Sequence, residues 1–160
     1  MELTIIEADL GRPEHQEAVL HLVDEYSKEP MGDGKPLSET ARKDLIPGLR
    51  GHPTTMVFVA FHDDKPAGLA LCFRGFSTFA ARTLLNIHDF FVMPRYQGTG
   101  VGRRLLAAVE ERARELGYCK LTLEVVEKNH RARRVYAAAG FVGAPGGLEG
   151  GVTFFLSKRL

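Results

Sequence analysis

Three alternating glycines stand between an apolar run and a helix-forming one, in Asp89-Phe90-Phe91-Val92-Met93-Pro94-Arg95-Tyr96-Gln97-Gly98-Thr99-Gly100-Val101-Gly102-Arg103-Arg104. Glycines here let backbone N–H groups face a ligand with no side chain in the way. The first turn of the following helix adds N–H donors without acceptors and the positive end of the helix dipole. Together these make an anion site, most often one for phosphate. Arg103 and Arg104 occupy that first turn, where carboxylates would suit the dipole. The next helical segment repeats the pattern with His130, Arg131, Arg133 and Arg134. Each misplaced charge costs about 0.3–1 kcal/mol in isolation. A polyanion docked between the two cationic helix starts reverses that sign.

Two common phosphate loops do not fit. The Walker pattern GxxxxGK[ST] is missing. A Rossmann fingerprint shares Gly98 and Gly100 but needs its third glycine one residue beyond Gly102. Glu124 lies at a suitable distance to meet a ribose, yet Met93 to Gln97 separate strand from glycines where a Rossmann turn has almost no spacer.

Periodicity supplies the elements that must position this loop. Leu3 to Ala8 alternates loosely as a strand, and Pro13 to Lys28 has helical spacing with proline in the first turn. Residues 29–36 hold two prolines and two glycines and form a loop. Ser38 is a weak cap for a helix to about Arg50. Thr54 to His62 and Ala67 to Phe76 form a hairpin about Asp63-Asp64-Lys65-Pro66, and Leu84 to Val92 is a third apolar run. Gly100 to Gly117 is the clearest helix, with Val101, Leu105, Val109, Ala113 and Leu116 as its apolar stripe. Glu110 and Arg114 are spaced for an i,i+4 pair. Leu121 to Val126 is a strand, and Asn129 to Ala139 a helix closed by Gly140. A glycine-rich segment, Gly143 to Gly151, precedes a last strand, Val152 to Leu156. This order predicts one α+β domain over residues 1–160 with a mixed sheet.

Composition narrows the classes. The chain has 160 residues, enough for one sizeable core. Its 21 Lys+Arg and 20 Asp+Glu leave a net charge of +1, which argues against general electrostatic binding to nucleic acid or anionic membrane. Cys72 and Cys119 are the two cysteines, too few for a disulfide scaffold and not spaced as a zinc ligand pair, so no metal is expected. No apolar run is long enough to span a bilayer. The first residues are acidic where a signal peptide is basic, so a cytoplasmic location is expected.

The residues Gln97-Gly98-Thr99-Gly100-Val101-Gly102 resemble the Q/R-x-x-G-x-G/A signature of the GNAT superfamily of acyl-CoA-dependent N-acetyltransferases. Downstream, Asn129, Ala132, Tyr136, Gly140 and Phe141 reproduce the N-x-x-A-x-x-x-Y-x-x-x-G-F pattern of that family's fourth helix. Both motifs, at the family's separation, cover about Leu84 to Phe141, and the flanking elements extend the likeness over nearly the whole chain. The stretch Asp89-Phe90-Phe91-Val92 is also similar to the diamine and polyamine acetyltransferase branch. The resemblance implies a splayed mixed sheet flanked by about four helices, with acetyl-CoA as cosubstrate in the cleft. It implies that backbone N–H groups of Gln97, Gly98, Thr99, Gly100, Val101, Gly102 and Arg103 bind the pyrophosphate. It further implies that Phe91 and Val92 pair with the pantetheine arm, that Asn129 contacts the cosubstrate, and that Tyr136 meets the leaving thiolate.

A thioester is already activated, so an aligned neutral amine needs no nucleophilic side chain. An alkyl amine has a pKa near 10.4, and less than about 0.1% of it is neutral at pH 7, so a general base is useful. His88, Asp89 and Glu124 are the candidates, with His88 and Glu124 ranked first. On a regular strand His88 and Asp89 face opposite sides unless a bulge intervenes. A backbone N–H on the strand ending at Val92 serves the carbonyl oxygen. A thiol near 8.5 and a phenol near 10 differ by about 1.5, roughly 2 kcal/mol, so a hydrogen bond from Tyr136 suffices.

The expected function is N-acetylation of a primary amine on a small molecule. The resemblance implies that the first helical region and its loop, about Tyr26 to Glu39, line the acceptor side, where Glu25, Glu29, Asp33 and Glu39 outnumber Lys28 and Lys35. The alternatives are a non-catalytic acyl-CoA-binding sensor or scaffold, and acetylation of a protein N-terminus or lysine. The patch Arg131, Arg133 and Arg134 keeps an aminoacyl-tRNA acceptor open, although near-neutral charge disfavours nucleic acid. The family often forms homodimers, and the sequence leaves oligomeric state open.

Overall fold

The computed structural model describes residues 2–143, 145–146 and 153–160. Strands β1 (Leu3–Glu7), β2 (Thr55–His62), β3 (Lys65–Ser77), β4 (Arg82–Val92), β5 (Lys120–Val126), β6 (Pro145–Gly146) and β7 (Thr153–Arg159) form a seven-stranded sheet in the order β1-β2-β3-β4-β5-β7-β6. Helices α1 (Pro13–Lys28), α2 (Glu39–Gly51), α3 (Val101–Glu115) and α4 (His130–Ala138) flank it. All neighbours pair antiparallel except β4 and β5, which are parallel. The mixed α+β class follows from that one crossover through α3. Most of the glycine-rich segment, and Val152 at the predicted start of the last strand, lie outside the described residues.

The sheet separates two cores. Alternate residues of β2, β3 and β4 point to opposite faces. Met56, Phe58, Ala70, Cys72, Leu85 and Ile87 pack with Leu105, Leu106 and Val109 of α3 and Tyr136 of α4. Val57, Val59, Leu69, Leu71 and Phe91 pack on the other face with Ala18, Val19 and Leu22 of α1 and Leu49 of α2. The α3 stripe is buried at Val101, Leu105, Val109 and Ala113, but Leu116 is the C-cap and is exposed, while Leu106 is buried. The predicted Glu110–Arg114 pair forms at 2.8 Å.

Two features of β4 shape the site. Its pairing with β5 covers only Leu85, Asn86 and Ile87, opposite Leu121, Thr122 and Leu123. Asn86 Nδ2 donates to Thr122 Oγ1 across that short seam at 2.8 Å. Beyond it, β4 continues from His88 to Val92 without β5, so its edge lies open in a cleft. The register with β3 also slips: Leu71 faces Asp89, whereas Cys72 faces Ile87. His88 is therefore the extra residue of a β-bulge.

Candidate active site

The cleft holds a cavity of about 860 Å³, lined by residues of α1, the end of β4, the glycine loop, α3 and α4. That size is suited to a ligand larger than a simple metabolite. A short 3₁₀ turn, Pro94–Tyr96, carries the chain from β4 to the loop. Gly98 and Gly100 then take φ of +77° and +92°, left-handed values that disfavour a Cβ. Gly100 is the N-cap of α3 and offers no side-chain acceptor. The first-turn N–H groups of Val101, Gly102 and Arg103 thus lack an intrahelical acceptor, while Arg104 N–H already closes on Gly100 O at 3.1 Å. The N–H groups of Gln97 and Thr99 are engaged in local turns, on Pro94 O and Tyr96 O. The donor set for an anion is centred on the helix start.

The arginine clusters divide. Arg103, Arg131 and Arg134 line the cavity. Arg104 instead reaches Leu3 O at 3.3 Å, and Arg133 donates to Glu127 O and lies over the Phe154 ring. Helical periodicity separates the members of each cluster by about 100° per residue, so one member faces the cleft while another fastens the fold. Asn129 lines the cavity and caps α4, its side-chain oxygen accepting from Ala132 N–H at 3.2 Å. The Gln97 side chain spans two walls: it donates to Val92 O at 3.0 Å and accepts from Arg131.

Tyr136 is buried, edge-on to the Phe90 ring at 5.7 Å and near Phe141 at 6.0 Å. Phe90 lines the cavity, so Tyr136 stands directly behind its wall. Burial, with a smaller contribution from Tyr26, pushes the Tyr136 phenol well above its usual range. It therefore remains a protonated donor throughout the physiological range.

The acceptor side departs from the regular-strand expectation. The bulge turns His88 and Asp89 toward the same face, that of α1 and α2, rather than opposite faces. His88 is exposed and meets the Phe73 ring edge-on at 5.4 Å, and Phe73 packs against the α1-side core. Asp89 opposes Leu71, a member of that core. Burial raises the Asp89 carboxyl above its ordinary value, and His88 opposes that rise. Glu124 is exposed on β5 and alternates with buried Leu123 and Val125, which places it on the same face. Neither His88, Glu124 nor Tyr136 is part of the cavity lining itself.

Tyr26, Glu29 and Met31 from α1 and its following loop complete the lining. The Tyr26 ring lies 5.4 Å from that of Phe91. Burial, then the charge of Asp89, raises the Tyr26 phenol. In the sequence Tyr26 continues the Leu22 stripe of α1 and by periodicity reads as core; the family resemblance, not the local pattern, puts the segment from Tyr26 on the acceptor side. The loop that presents Glu29 and Met31 is tied to α1 by buried Asp24, which accepts from Leu37 N–H at 3.0 Å and pairs with Arg42 at 2.9 Å. Lys28 is occupied by Asp24 and Glu25, whereas Glu29 enters no ion pair among the described residues.

Residues 18–141 match the family model for the acetyltransferase (GNAT) family. Among curated relatives, the thialysine N-epsilon-acetyltransferase of Caenorhabditis elegans is 27% identical over 132 residues, which cover 81% of this chain and 79% of that protein. An uncharacterized N-acetyltransferase of Archaeoglobus fulgidus is 36% identical over 83 residues, 51% of this chain and 56% of the relative. Among solved structures, PaiA N-acetyltransferase from Thermoplasma acidophilum in complex with coenzyme A aligns over the full length of both chains, with TM-score 0.70 and 17% identity. The NatC complex bound to Gag peptide and CoA aligns over 100% of this chain and 99% of its own, with TM-score 0.75 and 18% identity. Matched through the strand that opens the cleft, the glycine loop and the fourth helix, the chain belongs to the acetyltransferase (GNAT) family.

Proposed function

We propose that this N-acetyltransferase moves an acetyl group from acetyl-CoA to a primary amine of a small cationic molecule. The observation that carries the reading is the uneven charge of a single cavity. Arg103, Arg131, Arg134 and the open start of α3 suit a polyanion, while Glu29 with Tyr26 lines the α1 side. Acetyl-CoA supplies an activated thioester on a phosphate-bearing handle, and the residues present suit both parts of it. First-turn N–H groups from Val101 to Arg103 hold the pyrophosphate, and the open edge at Phe91 and Val92 takes the pantetheine amides. Gln97, Gly98, Thr99, Gly100 and Asn129 complete this wall.

His88 and Glu124, on the acceptor face, are the candidate bases that accept the ammonium proton, directly or through water. The neutral nitrogen forms the new C–N bond as the C–S bond breaks; the nitrogen then loses its second proton to water, and the thiolate takes up a proton to leave as the thiol. A β4 backbone N–H stabilises the carbonyl oxygen, and the Tyr136 hydroxyl donates to the departing sulfur. The name of the nematode relative, a thialysine acetyltransferase, supports an amino-bearing small molecule over a protein terminus.

The test is thiol release from acetyl-CoA across polyamines, diamino acids, aminoglycosides and peptide N-termini. Amine-dependent release with a small dication or polycation supports the reading. Release only with peptides moves the acceptor to protein. Tight acetyl-CoA binding with no release for any amine favours a sensor.

A further inference from the structure

We infer that Gln97 is a positioning residue that holds Arg131 ready for the phosphates of the cosubstrate; this rests on the proposed acetyl-CoA site. Arg131 sits in the first turn of α4, where the helix dipole repels a cation. It is exposed, and the Gln97 side-chain oxygen accepts from its guanidinium. Gln97 in turn donates to the carbonyl of Val92, the last residue of β4. Among the described residues, no other side-chain hydrogen bond links the glycine loop directly to α4.

The amide is suited to this role because it donates and accepts at once. A carboxylate at this position would hold Arg131 in an ion pair and repel the Val92 carbonyl. A hydrocarbon would hold neither. The bond to a neutral amide is also weaker than a guanidinium–phosphate bond. Arg131 is thus aimed into the cavity mouth at little rotamer cost; it keeps its bond to Gln97 through one nitrogen and offers its other N–H groups to the phosphate. The bond to Val92 O anchors the Gln97 amide so that its oxygen keeps facing Arg131.

A double-mutant cycle tests the coupling. CoA binding is measured by calorimetry for wild type, Gln97→Leu, Arg131→Met and the double variant, with melting temperatures recorded for each. Gln97→Leu is expected to weaken CoA about 3–10-fold and Arg131→Met about 10–30-fold. The double variant should be within about twofold of Arg131→Met alone, because the effect of Gln97 passes through Arg131. KM for acetyl-CoA in Gln97→Leu should rise by about the same factor as the CoA dissociation constant, and a fall in kcat without that rise would overturn the inference. Losses that multiply would make Gln97 a direct ligand and overturn the inference. A lowered melting temperature with unchanged affinity would overturn it as well. Wild type that takes up no CoA would overturn the site reading together with this one, whereas uptake with multiplying losses overturns this one alone.

Discussion

Gly102 separates a glycine kept for the fold from one kept for a ligand. It is the second residue of α3 and lines the cavity. Its backbone is not left-handed, unlike Gly98 and Gly100. A Cβ there would lie 3.5 Å from Val92 Cγ2 and 3.8 Å from Phe90 Cε1, ordinary van der Waals separations. The free protein therefore has no steric need for glycine at this position. Alanine is the better helix former by about 0.8–1.0 kcal/mol in a helix interior, and somewhat less in a first turn. Gly102→Ala should stabilise the free protein by about 0.5–1 kcal/mol, raising its melting temperature by about 1–4 °C. On the proposed reading, the same methyl stands where a phosphate approaches the first-turn N–H groups. A tenfold loss of CoA affinity corresponds to about 1.4 kcal/mol, and a loss of that size or larger is expected. Differential scanning fluorimetry and calorimetry with CoA read the two effects on one sample. A variant that melts lower, or binds CoA as wild type does, would refute the reasoning. The paired control is Gly100→Ala, where φ of +92° makes any side chain costly by about 1–2 kcal/mol, so the melting temperature should fall.

Tyr136→Phe should lower kcat about 10–100-fold with KM for both substrates nearly unchanged, measured by steady-state thiol release. Because burial pushes this phenol up, its deprotonation should leave the alkaline side of the kcat profile flat below about pH 10, and a falling limb there would assign the proton donor elsewhere. His88→Ala and Glu124→Gln identify the base. The variant lacking it should lose about 10–100-fold in kcat/KM at pH 7, with the deficit shrinking toward pH 10 as the amine deprotonates in solution; a pH-independent deficit would refute a base role. Asp24 sets an acid-stability expectation. Burial alone would raise its carboxyl, but the Leu37 N–H, Arg42 and Lys28 outweigh that and hold it below the usual range. A depressed carboxylate contributes stability above its unfolded pKa, near 3.9, and that contribution is lost as pH falls through the folded value. Asp24→Asn should thus cost about 1–3 kcal/mol at pH 7, by urea denaturation, and the gap to wild type should narrow below about pH 4.

Local chemistry specified most of the elements. Pro13 opens α1, Ser38 caps α2 through Ala41 N–H, and alternating apolar residues define β2 through β5. These features depend on neighbours a few residues apart, and spacing along the chain encodes them. The glycine loop was legible for the same reason: a strand end, three glycines and a helix start are contiguous. The chain by itself did not decide which of Arg103 and Arg104 faces the cleft, or which of Arg131, Arg133 and Arg134 does, since each is an arginine on an amphipathic helix until the helix docks. Nor did it show that His88 and Asp89 share a face, because the bulge is a register slip against β3, and register is a property of two strands. Tyr26 and Glu29 entered the cavity lining through the packing of α1 on the sheet, some sixty residues from β4. The sequence thus determined the loop and the elements around it. Tertiary structure decided which side chains surround the cleft, because only packing sets the rotation of a helix and the spread of β4 from β5.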